Sequence, residues 1–101
     1  MPKRKKLTPG EEIERIRMPS PDEVLGVVEQ MFGFDHLRVR CKDGYVRVCR
    51  IRGKIRKRLW VRENDVVIIR PWSVQSDKKG DVIYRYTRTQ VGWLRRKGIW
   101  E

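Results

Sequence analysis

An Asp-Gly pair set between two alternating runs leaves a chain few options, and residues 36–51 carry one. HLRVRC alternates strictly, with Leu37, Val39 and Cys41 on one side and His36, Arg38, Arg40 and Lys42 on the other. KDGY follows, and YVRVCRI reads as the returning strand. Asp-Gly is a strong hairpin signal, because a two-residue type I′ loop needs positive φ at both central residues. With Asp43-Gly44 as that loop, Cys41 faces Val46, Val39 faces Val48 and Arg40 faces Arg47. This register leaves Cys41 and Cys49 off opposing positions, so two separate buried thiols are expected rather than a disulfide. It also sets Leu37 against Arg50, a mismatch that a bulge near Cys49–Arg50 would correct by returning Ile51 to the core side.

Further strands fit around this hairpin. DEVLGVVEQMFG is β-branched and reads as a first strand, with Gly26 marking a bend or bulge. VVIIRPW is a continuous apolar run of strand length, expected to be buried on much of both faces or to close a barrel, with Pro71 ending its ladder. SVQSDKKGD reads as a polar loop, and VIYRYT as a fifth strand. Thr87 and Gln90 are spaced as a capping box, predicting a helix with Val91 and Leu94 on its packed face. Arg95, Arg96 and Lys97 would lie in its last turn, and Gly98 would stop it. GKIRKRLW allows a short helix between strands three and four.

The resulting expectation is an all-β fold, a five-stranded OB-fold barrel with that short helix and a C-terminal helix. An SH3-like barrel is the rival, and the connection after strand three favours the OB order. Residues 1–20 alternate charge with Pro, Gly and Ser and read as a basic, mostly disordered arm, in which EEIERIRM makes a marginal helix on its own. The barrel is assigned to residues 21–87, and the C-terminal helix and tail to 88–101. A chain of 101 residues supports one such domain.

Charge narrows the function. The formal net charge is +12, and between Asp35 and Arg62 eleven Lys or Arg stand against two Asp. Such a field repels itself unless a polyanion is near; nucleic acid is the commonest such partner and an anionic membrane surface the second, and clustering within a folded segment favours a nucleic-acid surface over a sticky tail. Neither a transmembrane run nor the apolar stretch of a signal peptide is present, so export is not expected; a cytoplasmic location and a monomeric state are the expectations. No catalytic set is visible. Gly53-Lys54 resembles the end of a phosphate-binding loop, but Ile55 stands where Ser or Thr is required. His36 has no nucleophile at a suggestive spacing, and Cys41, Cys49 and His36 do not make a zinc site. No cofactor, metal or enzymatic activity is expected.

The candidate nucleic-acid-binding residues are Arg38, Arg40, Lys42, Arg47, Arg50, Lys54, Arg56, Lys57, Arg58, Trp60 and Arg62. Arg40 opposite Arg47 would be destabilising on a bare sheet face, unless both splay into water or a phosphate sits between them. With Arg38 and Lys42 beside them, the phosphate reading is preferred. Trp60 is either a core anchor or a stacking platform for an unpaired base, an interaction worth about 1–3 kcal/mol.

The segment IRGKIRKRLWV, preceded by KDGYVRVCR, followed by DVVIIRPW and then by GDVIYRY at residues 80–86, resembles the translation initiation factor 1A family in its archaeal branch. The similarity spans about residues 20–88. It implies an S1-type barrel that occupies the decoding A site of the small ribosomal subunit. There it would contact ribosomal RNA and support initiator tRNA placement, acting on the initiator tRNA complex indirectly. By position, the family's RNA-binding motif falls on Gly53, Lys54, Arg56, Lys57, Arg58 and Trp60, with Arg38 and Arg40 as neighbours. A translational GTPase is a further partner that the family raises. Eukaryotic members reach it through a long acidic C-terminal tail, and the basic RRKGIW end here does not carry that contact over. The alternative is a general single-stranded RNA binder or RNA chaperone of the cold-shock type, although the dense row of exposed aromatics such proteins use is missing.

Overall fold

The computed structural model describes residues 8–33, 35–51 and 61–100. Within Met18–Arg85, five strands close a barrel: β1 (Val24–Phe32), β2 (His36–Cys41), β3 (Val46–Ile51), β4 (Val66–Pro71) and β5 (Lys79–Arg85). The order around the barrel is β1-β2-β3-β5-β4, and β4 pairs back onto β1. All neighbours are antiparallel except β3 and β5, which run parallel. This is the five-stranded OB arrangement expected from the sequence. The short helix expected between strands three and four falls on residues 52–60, outside the described residues.

Alternation in β2 is as expected, with Leu37, Val39 and Cys41 inside and His36, Arg38 and Arg40 outside. The core joins these three to Val28, Cys49, Ile51, Val67, Ile69 and Val82. All four apolar residues of β4 are buried. Val67 and Ile69 belong to the barrel core, and Val66 and Ile68 are covered on the other face. The strand ends at Pro71, where the ladder loses a donor. Both cysteines are free and buried.

Three local expectations are corrected. The bulge in β1 lies between Val28 and Gln30, leaving Glu29 as the extra residue, and does not lie at Gly26. Gly26 is required for a different reason: a Cβ there would stand 2.4 Å from Val39 Cγ1 and 3.1 Å from the Arg40 carbonyl oxygen. β5 begins at Lys79, inside the stretch read as a loop, because its first residues pair with β3 and β4.

The third correction concerns the hairpin. Cys41 N–H donates to the Tyr45 carbonyl (2.8 Å), and Gly44 N–H donates to that of Cys41 (3.1 Å). Only Gly44 of the loop has positive φ (94°). The loop therefore has three residues, Lys42-Asp43-Gly44, with glycine in its left-handed position. The register moves by one: Arg40 pairs with Val46, Val39 with Arg47, Arg38 with Val48 and Leu37 with Cys49. One step of slip exchanges the faces of β3. Arg47, Cys49 and Ile51 turn inward, Val46, Val48 and Arg50 turn outward, and the β2–β3 register runs without the bulge expected at Cys49–Arg50.

The described residues among Met1–Arg17 and Tyr86–Glu101 form a separate helical unit. Within the stretch read as an arm, Thr8 caps a six-residue helix, α1 (Pro9–Glu14), through a capping box with Glu11. Six residues are too few to hold a helix alone, and α1 packs against α2 (Arg88–Arg96). The capping box on α2 forms as expected: Gln90 N–H donates to Thr87 Oγ1 and Thr87 N–H to Gln90 Oε1. Gly98 follows with φ of 72°, and Leu94 is fully buried. The Tyr86 hydroxyl donates to the Arg17 carbonyl, joining the two chain segments of this unit. Among the described residues, no helix is long and apolar enough to cross a membrane.

Candidate nucleic-acid interface

Alternation on β2 sends Arg38 and Arg40 outward, with side chains 45% and 53% exposed. The corrected register adds Arg50 to the outer surface of the neighbouring strand, opposite His36. Glu29, pushed out by the β1 bulge, lies near both β2 guanidiniums, 3.9 Å from Arg38 Nε and 3.8 Å from Arg40 Nε. One carboxylate at such distances cannot neutralise two half-exposed arginines, and contacts of this kind contribute about 0–1 kcal/mol. Arg38 also donates to Gln30 Oε1 and lies over the Phe32 ring, which orders its guanidinium at the surface. Lys42 is exposed in the hairpin loop. Arg62 is exposed in the turn before β4, and its backbone N–H donates to Asp65.

Arg47 does not join this face. The register slip buries it to 3% exposure, at the hairpin end of the barrel. Its Nη1 and Nη2 donate to the two carboxylate oxygens of Asp43 (3.1 and 2.9 Å), and its Nε donates to the Ser76 carbonyl (2.6 Å). The Arg40–Arg47 phosphate clamp expected from the sequence is therefore absent. In its place is a brace that ties the β2–β3 loop to the β4–β5 loop. A fork-on-carboxylate pair supplies the opposite charge that a buried guanidinium requires. Lys54, Arg56, Lys57, Arg58 and Trp60 lie outside the described residues.

The brace has a pH signature. Partial burial raises the Asp43 pKa, but the Arg47 hydrogen bonds and the Tyr45 N–H outweigh it and hold the carboxyl below its ordinary value. A depressed native pKa gives stability that is complete above the unfolded value, about 3.9, and is lost as pH falls through the native one. Asp43→Asn is expected to destabilise by about 1–2 kcal/mol at pH 7, a range kept small because Asp43 is partly solvated. The gap from wild type should close below about pH 4. Urea melts across that range check it; a gap independent of pH would refute the brace. The two core thiols have the opposite shift: burial pushes Cys41 and Cys49 up, so both stay protonated and inert at neutral pH.

Sequence reasoning passed over three residues on the outer wall. Arg70 sits at the end of an apolar run that points to the core, Trp72 directly follows the strand-ending Pro71, and Glu23 is a charge just before β1. Their common surface arises only when β3, β5 and β4 are laid side by side. Among the described residues, no cluster of His, Cys, Asp and Glu is placed to hold a metal.

Comparison with known proteins agrees with this architecture. The family described as Translation initiation factor 1A / IF-1 matches residues 13–101. Translation initiation factor 1A of Pyrococcus abyssi is 53% identical over 98 residues, covering 97% of this chain and 87% of that protein. The protein of the same name from Methanococcus maripaludis strain C5 is 58% identical over 89 residues, covering 86% of each. Among solved structures, the translation initiation factor IF-1 of the Wolbachia endosymbiont of Brugia malayi superposes with a TM-score of 0.51 at 25% identity, covering 68% of this chain and 82% of that one. With more than half its length matched by the family and relatives above 50% identity, this chain belongs to the translation initiation factor 1A / IF-1 family.

Proposed function

We propose that, in translation initiation, this protein binds ribosomal RNA at the A site of the small ribosomal subunit and thereby supports placement of initiator tRNA. One observation carries the reading: the outward arginines of β2 and β3 lead directly into RIRGKIRKRLWVR, seven of whose thirteen residues are Lys or Arg. The contact surface is Arg38, Arg40, Lys42 and Arg50 with Lys54, Arg56, Lys57, Arg58, Trp60 and Arg62, while Arg47 braces the hairpin behind it. Phosphate contacts through these cations supply affinity and make it salt-dependent. Membership of an initiation-factor family supports association with the ribosome. The initiator tRNA complex is reached indirectly, and the protein acts as a cytoplasmic monomer.

Chemical footprinting on purified small subunits tests this. Saturable protection of ribosomal RNA should cluster in the decoding A site and disappear when an A-site ligand is added in excess. Protection spread over the subunit, or unaffected by that competitor, would instead indicate general RNA binding.

A further inference from the structure

Side by side on the barrel's outer wall lie Arg50 of β3, Asp81 of β5 and Arg70 of β4, each the ladder partner of the next. They line an open groove of about 470 Å³ together with Pro71, Trp72, Ser73 and Val74. Three features set this groove apart from an ordinary charged wall.

First, its two cations are differently held. Arg70 is 54% exposed, and its Nη2 donates to Glu23 Oε2 (2.9 Å), a carboxylate whose side chain is only 1% exposed. Glu23 also accepts from the Ser20 N–H (2.9 Å), so the carboxylate is fixed at both oxygens and fixes the guanidinium in turn. The Arg50 side chain has no ion pair or hydrogen bond among the described residues. Second, the indole of Trp72 is anchored yet open. Its Nε1–H donates to Asp81 Oδ1 (3.1 Å) and its backbone N–H to the Lys79 carbonyl (3.1 Å), while 39% of the residue remains exposed. A large aromatic pinned in place at the surface loses little entropy when it stacks. Third, Arg50 borders both surfaces, pairing with His36 on one side and Asp81 on the other, so the groove continues the β2–β3 basic face.

From these features we infer that the groove holds one unpaired nucleotide of an RNA strand, its base stacked on Trp72 and its two flanking phosphates held one by Arg50 and one by Arg70, on either side of Asp81. Glu23 is a positioning residue: it touches no RNA and holds Arg70 at the rim. The inference rests on the RNA-binding reading above and adds to it a second contact, on the far side of Arg50.

The test uses the full chain and an eight-residue single-stranded oligoribonucleotide. In 15N–1H spectra, the Trp72 indole resonance, assigned by its loss in Trp72→Phe, should shift saturably on titration. Trp72→Ala should weaken binding by roughly 5- to 150-fold, the range of one base–aromatic stack, and Trp72→Phe should restore most of it. Glu23→Gln should weaken binding less than Arg70→Gln and leave the salt slope unchanged, since it removes orientation and not a cation. Small-subunit binding by a Lys54→Glu, Arg56→Glu, Lys57→Glu variant is measured in parallel. If that variant loses the subunit while the Trp72 indole stays still on wild-type protein, the groove is wrong and the basic face stands. If the triple variant binds subunits normally, the basic face is wrong. An indole that responds to hexaglutamate and not to RNA would make this a protein-docking groove and overturn the inference.

Discussion

A Lys54→Glu, Arg56→Glu, Lys57→Glu variant is expected to lose on the order of 100-fold or more in affinity for small ribosomal subunits at moderate salt. The magnitude follows from charge. Each cation that neutralises a phosphate releases condensed counterions, and a slope of about 0.7–0.9 in log affinity against log salt accompanies each contact. Removing three contacts should therefore flatten the salt dependence by about 2–3 in slope. Installing three carboxylates adds repulsion, which is strongest at low salt. Affinity measured across a range of salt concentrations separates the two contributions. The barrel should keep its melting temperature, because all three positions lie in the sequence between β3 and β4 and the exchange replaces one charged side chain, of a kind almost never fully buried, by another. Subunit binding and salt slope equal to wild type would place the RNA contact elsewhere.

The second large effect is structural. Gly26→Ala is expected to destabilise the barrel by about 3 kcal/mol, at the upper end of overpacking penalties, lowering Tm by roughly 10 °C or more. The new Cβ would lie 2.4 Å from Val39 Cγ1, and Val39 is a fully buried β-branched residue, stiff at χ1. Moving the backbone instead drives the methyl at the Arg40 carbonyl oxygen, 3.1 Å away, in the β1–β2 ladder. Gly80 is a second instance, with Ile69 Cγ2 at 2.6 Å and the Arg70 carbonyl at 3.1 Å. Gly10 provides the contrast. It lies in α1 with nothing within 4 Å of a new Cβ, so Gly10→Ala should stabilise by about 0.5–1 kcal/mol through helix propensity. The same methyl thus has opposite signs at two glycines, and calorimetry of the single variants checks both. A Gly26→Ala protein melting within about 2 °C of wild type would mean the barrel wall is far softer than close packing allows.

Both effects belong to one design. The glycines let β1 and β5 approach their neighbours closely enough to close a small barrel, and closure arranges the outer wall on which the arginines stand. Relaxing Gly26 against Val39 would disturb β2 at the residue between Arg38 and Arg40. Gly26→Ala should therefore weaken RNA binding and folding together, whereas the triple charge reversal should weaken binding with folding intact.

Much of this was legible in the sequence because it depends on local pattern. Strict alternation in HLRVRC put Leu37, Val39 and Cys41 inside and Arg38 and Arg40 outside, and burial allows no other assignment once one face is apolar. The apolar run Val66–Ile69, the Pro71 stop, the Thr87–Gln90 capping box and the density of cations after residue 50 are likewise properties of neighbouring residues, as is the motif that resembles the initiation factor family. The β2–β3 register was decided elsewhere. Asp43-Gly44 serves a two-residue or a three-residue loop equally well, and the difference of one residue exchanges the faces of β3. What selects the longer loop is Asp43 reaching the Arg47 guanidinium and the Tyr45 N–H, with the Ser76 carbonyl, 29 residues away in sequence, completing the brace. Arg50, Asp81 and Arg70 become neighbours for the same kind of reason: a parallel β3–β5 pairing and the return of β4 bring together residues with no sequence relation. Periodicity records which way a side chain faces, while the partner across the sheet depends on contacts whose free energy exists only once the barrel has closed.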